Sequence, residues 1–320
     1  MKTQSIAILG GGGFVGRHLV NELSRRHYRT RVLTRRAARH REVLVYPECE
    51  VVELDVHDSA ALESGLSGCD AAVNLVGILN QRPRAGVTFE RVHAELPAAL
   101  AETCLKLGIN RLLHMSALNA GPEGASEYLK SKGRGEAAVH EAASRGLQVT
   151  SFRPSVIYGV DDAFFNRFAN LLAMSPPIFP LACPHARLAP VYVEDVVKAM
   201  ANALADKRSA GQRYELCGPR EYTLQDLVSY AARVSGHRRW ILPLGDRASY
   251  FQARVLGHLP NPPFSIDNYL SLTQPSVTEH NALPELGIQP TSLETIVPGY
   301  LGRANRTGFY NSLRSSARHG

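Results

Sequence analysis

The sequence predicts an α/β fold built around a doubly wound parallel sheet, and three observations carry that prediction. Near the start, "SIAILGGGGFVGRHLV" joins a short apolar run to a segment of helical spacing through four consecutive glycines. Over the first half of the chain, apolar runs of strand length alternate with helical patterns, the order expected of βαβ units whose strands are buried on both faces. In the second half, prolines break the chain into shorter elements, which read as a smaller C-terminal lobe.

Ile6, Ile8 and Leu9 form the first strand, and Phe14, Val15, His18, Leu19 and Leu23 recur at helical spacing, so the glycines sit in a strand-to-helix turn. Gly11, Gly13 and Gly16 fit GxGxxG, while Gly10, Gly13 and Gly16 fit the related GxxGxxG. Either spacing lets a pyrophosphate rest against backbone N–H groups at a helix N-terminus. The expected cradle is therefore Gly10, Gly11, Gly13, Phe14, Val15 and Gly16.

A second strand, "RTRVLTRR", closes at Thr34, Arg35 and Arg36. In a dinucleotide fold an acid about 20 residues after the glycines takes the ribose hydroxyls of NAD, whereas arginine accommodates the extra phosphate of NADP. The count lands on Arg36, and the next acid, Glu42, comes too late, so NADP(H) is favoured over NAD(H). "EVVELDVHD" is a third strand ending at Asp55 and Val56, which would flank adenine. "AAVNLVGIL" is a fourth, with Asn74, Val76 and Gly77 beside the middle of the cofactor. "SAALESGLSG" and "FERVHAELPAALAETCLKLG" are the intervening helices, and His93 on the second reads as structural.

After a fifth strand, "NRLLHMSALNA", the helix "SEYLKSKGRGEAAVHEAASRG" places Tyr128 and Lys132 four residues apart, on one face. A phenol titrates near pH ~10, and a neighbouring ammonium that stabilises the phenolate makes it a usable acid and base. Ser116, at the end of the fifth strand, can bond a substrate oxygen. Ser116, Tyr128 and Lys132 are thus the candidate catalytic set, and Lys132 can also hold ribose hydroxyls.

Composition narrows the alternatives. The net charge is +7, yet eight arginines and no acid lie between Arg25 and Arg41, so one local feature makes the chain basic. These residues bracket a single strand and lack aromatic stacking platforms, which argues against nucleic acid as a partner. The five cysteines show no CxxC spacing, so neither zinc nor a disulfide framework is expected and a reducing compartment fits. No apolar run reaches about 18 residues, and the first strand starts at once, so neither a transmembrane helix nor a signal peptide is read. The apolar stretch "LLAMSPPIFPLAC" is broken by prolines and reads as a buried loop, with peripheral membrane contact as the alternative. "YTLQDLVSYAARVSGHRRWILPL" reads as a helix followed by a strand. The dinucleotide domain is assigned to 1–160, completed by about 187–220. The lobe takes 161–186 and 221–302, and 303–320 is a basic tail expected to be disordered.

In order, "GGGGFVG", "LDVHD", Ser116, Tyr128 with Lys132, "FRPSVIYG" and "PVYVEDVVKAM" resemble the extended short-chain dehydrogenase/reductases, the Rossmann-type epimerase/dehydratase superfamily. That resemblance implies that Arg153, Pro154, Ser155 and Val156 lie beside the nicotinamide. "YLKSKGRGE", "RPSVIYGVDDAFFNRFANLL" and "LGIQPTSLETIVPGYL" are similar to an atypical subgroup that includes the nucleotide-binding accessory subunit of respiratory complex I and its bacterial relatives. The subgroup implies NADP(H) binding without established turnover and a respiratory or ubiquinone-related assembly as partner; with the cysteine usage, the expected setting is cytoplasmic, extending to the inner face of the cell membrane. Leu9, Val76 and Gly77 depart from the sugar-nucleotide epimerases, which usually have Thr and Ala-Ala there. Two readings stand: a cofactor-stabilised module, or a working reductase, dehydrogenase or epimerase using Tyr128.

Overall fold

The computed structural model describes residues 4–302 apart from 238, 260 and 261. The basic tail from 303 lies outside the described residues. The chain divides into two compact units. Among the described residues, unit 1 comprises 4–154, Val193–Leu216 and Thr278–Gln289; unit 2 comprises Ser155–Tyr192, Cys217–Val277 and 290–302.

In unit 1 the strands β1 (Ser5–Leu9), β2 (Arg29–Thr34), β3 (Cys49–Glu53), β4 (Ala71–Asn74), β5 (Arg111–Met115) and β6 (Gln148–Pro154) join Arg213–Leu216 in one seven-stranded sheet. Its order is Arg213–Leu216, β6, β5, β4, β1, β2, β3, and every pairing is parallel. Strand order reverses between β1 and β4, which is where such sheets bind ligands, at the carboxyl ends of the strands. The first four α-helices of unit 1 are α1 (Phe14–Arg25), α2 (Ser59–Leu66), α3 (Leu96–Leu107) and α4 (Glu127–Glu141).

Burial explains the alternation read from sequence. Ile6 to Leu9 and Ala71 to Val73 are fully buried, as strands covered on both faces must be. Leu62, Leu66, Leu96, Leu100, Leu112 and Val139 form one core with α2, α3 and α4 on that side of the sheet. On the opposite side the Arg111 guanidinium, one residue from Leu112, donates to the carbonyl of Ala203 in the helix Val193–Ala205, which also packs against α1. Helices on both faces make the sheet doubly wound.

Several boundaries differ from the sequence reading, three of them for a local reason. The third strand stops at Glu53, short of Asp55 and Val56. Leu54 N–H still reaches the carbonyl of Thr34, but the Asp55 carboxylate then accepts from His57 N–H and turns the chain. The second strand stops at Thr34, before Arg35 and Arg36, and the fifth stops at Met115, before Ser116. The fourth ends at Asn74, whose side-chain oxygen accepts from Val76 N–H and so diverts the backbone. The helix expected across 89–108 opens with a π-helical turn, Glu90–Glu95. Pro97, in the first turn of α3, has no N–H to offer the carbonyl of His93, so regular i to i−4 pairing fails there.

Unit 2 has its own core, in which Tyr158, Phe165, Leu172, Leu227, Val228 and Val297 are buried together. The helix Leu224–Ser235 is started by a capping box between Thr223 and Asp226, and Trp240–Pro243 follows as a strand, as read from sequence. The stretch "LLAMSPPIFPLAC" is not a buried loop. It ends the helix Phe165–Met174 and then forms the strand Ile178–Leu181, with Met174 and Ile178 exposed.

Candidate functional site

The glycine turn closes β1 onto α1. Gly10 has φ +80, a left-handed conformation that disfavours a side chain, and Gly13 N–H donates to its carbonyl at 3.0 Å. Gly16 lies so close beneath the turn that a Cβ there would strike the carbonyl oxygen of Gly10 and the Cα of Gly11. Gly13 is the residue before α1 and supplies no side-chain cap, and the first turn of α1 carries no acid. By contrast α2 is capped by Asp58 and α4 by Ser126. The N-terminus of α1, positive by its dipole, thus carries no side-chain cap at the point where the strand order reverses, an arrangement that favours an anion. Phe14 makes an edge contact with His18, and Val15 is half-buried on α1.

Across the switch, the end of β4 meets the helix that carries Tyr128 and Lys132. Lys132 is almost wholly buried, and its ammonium donates to the carbonyl of Met115 at 3.0 Å. A Cβ on Gly77 would stand 3.2 Å from that Nζ, so glycine here lets the β4 loop close on the lysine. Burial pushes the Lys132 pKa down to about 8, opposed by Glu136. Ser116 is buried, and its Oγ has no hydrogen-bond partner among the described residues. Such an orphaned hydroxyl, one residue after the carbonyl that holds the Lys132 ammonium, fits an oxygen supplied by a ligand.

His93 is satisfied structurally. Its Nε2 accepts from Ile78 N–H at 3.0 Å, which puts the proton on Nδ1, where it is donated to Ser131 Oγ at 3.0 Å; Ser131 in turn donates to the carbonyl of Tyr128. Burial, with Lys132 and His114 adding to it, pushes the His93 pKa down to about 2, so the ring stays neutral. Its imidazole stacks on Phe89 and meets the Tyr128 ring edge-on, fixing the phenol from its apolar side.

The remaining candidates separate into those near this centre and those committed elsewhere. Arg35 and Arg36 are exposed just beyond β2, and Asp55 and Val56 follow β3, with Val56 buried. Asn74 is buried; besides Val76 N–H it contacts His114 Nδ1 at 3.3 Å, and its side chain works inside the sheet. The Arg153 guanidinium is held by the buried Glu136 carboxylate through Nε and Nη2, at 3.0 and 2.7 Å. Pro154 accepts from Leu118 N–H through its carbonyl. In unit 2, Ser155 Oγ donates to the carbonyl of Ser276 at 2.7 Å, and the carbonyl of Val156 accepts from Val191 N–H.

Two residues escaped the sequence reading. The His40 imidazole lies over Gly12, against the place a Cβ there would occupy, and its Nδ1 stands 3.7 Å from Glu42 Oε1, beyond hydrogen-bond distance. Nothing in the spacing of "RRAARHREV" signals that the loop folds back onto the glycines. His114 is buried beside Lys132 with its Nε2 unpartnered among the described residues, and burial holds it neutral. Part of its signal was visible, since Asn74 and His114 are polar residues at the ends of apolar runs in β4 and β5; only the structure shows that they are register partners.

Residues 6–217 match the model of the NAD dependent epimerase/dehydratase family. The chain belongs to that family. This family member is 34% identical over 254 residues to the ceramide reductase of Caulobacter vibrioides, covering 75% of this chain and 74% of the relative. It is 30% identical over 309 residues to the mitochondrial NADH dehydrogenase (ubiquinone) 1 alpha subcomplex subunit 9 of Mus musculus, covering 90% of this chain and 77% of the relative. Among solved structures, UDP-glucose 4-epimerase of Thermotoga maritima superposes with a TM-score of 0.75 at 18% identity, covering 97% of this chain and all of that one. The last similarity establishes the fold alone, that of the Rossmann-type extended short-chain dehydrogenase/reductases. The family member is therefore an α/β protein of a dinucleotide-binding lineage, related to a subunit of the mitochondrial NADH dehydrogenase.

Proposed function

We propose that the protein binds NADP(H) on unit 1 and serves as a cofactor-stabilised module of a respiratory or quinone-related assembly at the inner face of the cell membrane. The observation that carries the reading is the uncapped N-terminus of α1, opening on a turn that Gly10 and Gly16 hold compact. The turn would take the pyrophosphate, Lys132 the ribose hydroxyls, and Arg35 with Arg36 the extra phosphate. Similarity along nearly the whole chain to an NADH dehydrogenase subunit supports the assembly role. A ligand that binds only the folded state stabilises it by about 2.7 kcal/mol at a hundredfold excess over Kd, so a bound cofactor can act without turnover. The test is to purify the protein, denature it and identify what it releases. Stoichiometric NADP(H) is expected; a preparation that carries none and melts unchanged with added NADPH overturns the reading.

A second reading, a working reductase, is favoured by one observation, the orphaned Oγ of buried Ser116. NADPH, when bound, supplies a hydride. Tyr128 would hold the proton delivered to the substrate oxygen, Ser116 would donate a hydrogen bond to that oxygen, and Lys132 would favour the phenolate left behind. The relative named ceramide reductase supports a carbonyl substrate on an apolar molecule. Tyr128→Phe keeps the ring contacts with His93 and removes the proton, so it separates the readings. A module complements a deletion strain fully with this variant, whereas a reductase loses turnover by ~10²-fold or more while keeping NADPH.

A further inference from the structure

Unit 2 presents an outward surface whose side chains are apolar where polar ones would be expected. Ile178–Leu181 pairs in parallel with Trp240–Pro243, in the register Ile178 with Trp240 and Pro180 with Leu242. Residues two apart on a strand share a face, so these four stand on one side of the ribbon, and all four are exposed. The opposite side, with Phe179, Leu181 and Ile241, packs on the core of unit 2. The ribbon is thus apolar on both faces, a pattern that marks an interaction surface.

The helix Asp246–Leu256 extends this surface. Gln252 donates to the carbonyl of Pro180, and Cys183 N–H donates to Ser249 Oγ, tying the helix to the ribbon. Ser249 and Ala253 face inward and are fully buried, which turns Phe251 and Val255 outward, 67% and 51% exposed. Arg247 and Arg254 flank them on the exposed side, and neither makes an ion pair among the described residues. Among the described residues, Met174 and Trp240 are the most exposed large apolar side chains, at 84% and 79%.

We infer that this face of unit 2 docks on an anionic lipid bilayer, with Met174, Trp240, Leu242 and Phe251 entering the headgroup boundary and Arg247 and Arg254 meeting lipid phosphates. The inference gives named residues to the membrane-side placement proposed above and is independent of the cofactor reading. Charge and geometry select lipid over a protein partner. The apolar side chains stand out from the surface, so they can enter acyl chains without a matching pocket. Arginine stems lie along apolar surface while the head reaches phosphate, and indole favours the boundary between apolar and wet regions. The segment 237–259 carries four arginines against one acid, Asp246, and 170–183 carries no charge at all.

Trp240 is the sole tryptophan, so its emission reports this surface and nothing else. Full-length protein titrated with vesicles containing phosphatidylglycerol should show a blue shift of Trp240 emission, quenching by brominated acyl chains, and sedimentation with the vesicles. Phosphatidylcholine vesicles should bind at least about ten-fold more weakly. Met174→Glu with Phe251→Glu should abolish binding, and Arg247→Gln with Arg254→Gln should remove the preference for phosphatidylglycerol. NADPH titration of the same samples checks that unit 1 is intact and tests the cofactor reading separately. Unmoved emission with phosphatidylglycerol vesicles overturns the inference. So does an emission shift that tracks self-association in sedimentation velocity without lipid, which would assign the face to a second copy of the chain.

Discussion

Gly135 of α4 touches the carbonyl oxygen of His93, so closely that a Cβ at position 135 would collide with it. That carbonyl is the one Pro97 cannot serve, and the same histidine, through Nε2 and Nδ1, braces the β4 loop and Ser131. The glycine therefore seats the helix that carries Tyr128 and Lys132. Gly135→Ala should cost about 1–3 kcal/mol or more, since the obstacle is backbone and cannot move aside. Chemical denaturation checks it, and loss of NADPH affinity should accompany the loss of stability.

Gly13→Val probes the ligand rather than the fold. A Cβ at Gly13 meets only the carbonyl oxygen of Gly10, at 3.2 Å, and the backbone at φ −76 and ψ 178 suits a β-branched residue. The variant should fold with a near-normal melting temperature, yet lose NADPH affinity by at least about two orders of magnitude, because the side chain fills the place of the pyrophosphate. Unchanged NADPH affinity would remove the turn from the site.

Arg35→Ala with Arg36→Asp should weaken NADPH about 100-fold or more and NADH hardly at all, since charge-assisted bonds to phosphate contribute about 1.5–3 kcal/mol each and two are lost. Parallel titrations of the two nucleotides decide it.

Lys132 sets a pH dependence whose sign follows from its depressed pKa of about 8. Unfolded lysine still binds a proton there, so stability should rise with pH from about 8 towards the ordinary lysine range. An anionic cofactor raises the pKa again, so NADPH binding should take up a proton above pH ~8 and none well below it. Calorimetry in buffers of different ionisation enthalpy measures the uptake, and Lys132→Met should abolish it.

Much of unit 1 could be read without coordinates because the signals are local. Strands buried on both faces must be apolar throughout, as Ile6 to Leu9 and Ala71 to Val73 are, and a backbone that turns at φ +80 must use glycine, as Gly10 does. Tyr128 and Lys132 share a face by helical spacing alone. The ends of β3 and β4 were read too long because Asp55 and Asn74 cap their own backbones, a competition that apolar patterning does not register.

By itself, then, the sequence determined the sheet, the glycine turn, the tyrosine and lysine helix and the family, since each depends on residues close along the chain. Tertiary structure alone decided which side chains are free to act. It engages Arg153 with Glu136 and Ser155 with Ser276, leaves Ser116 Oγ without a bond among the described residues, lays His40 over Gly12, and turns Trp240 and Phe251 outward. The physical reason is that hydrogen bonding and burial are settled between residues distant in sequence, where composition and periodicity carry no record of who meets whom.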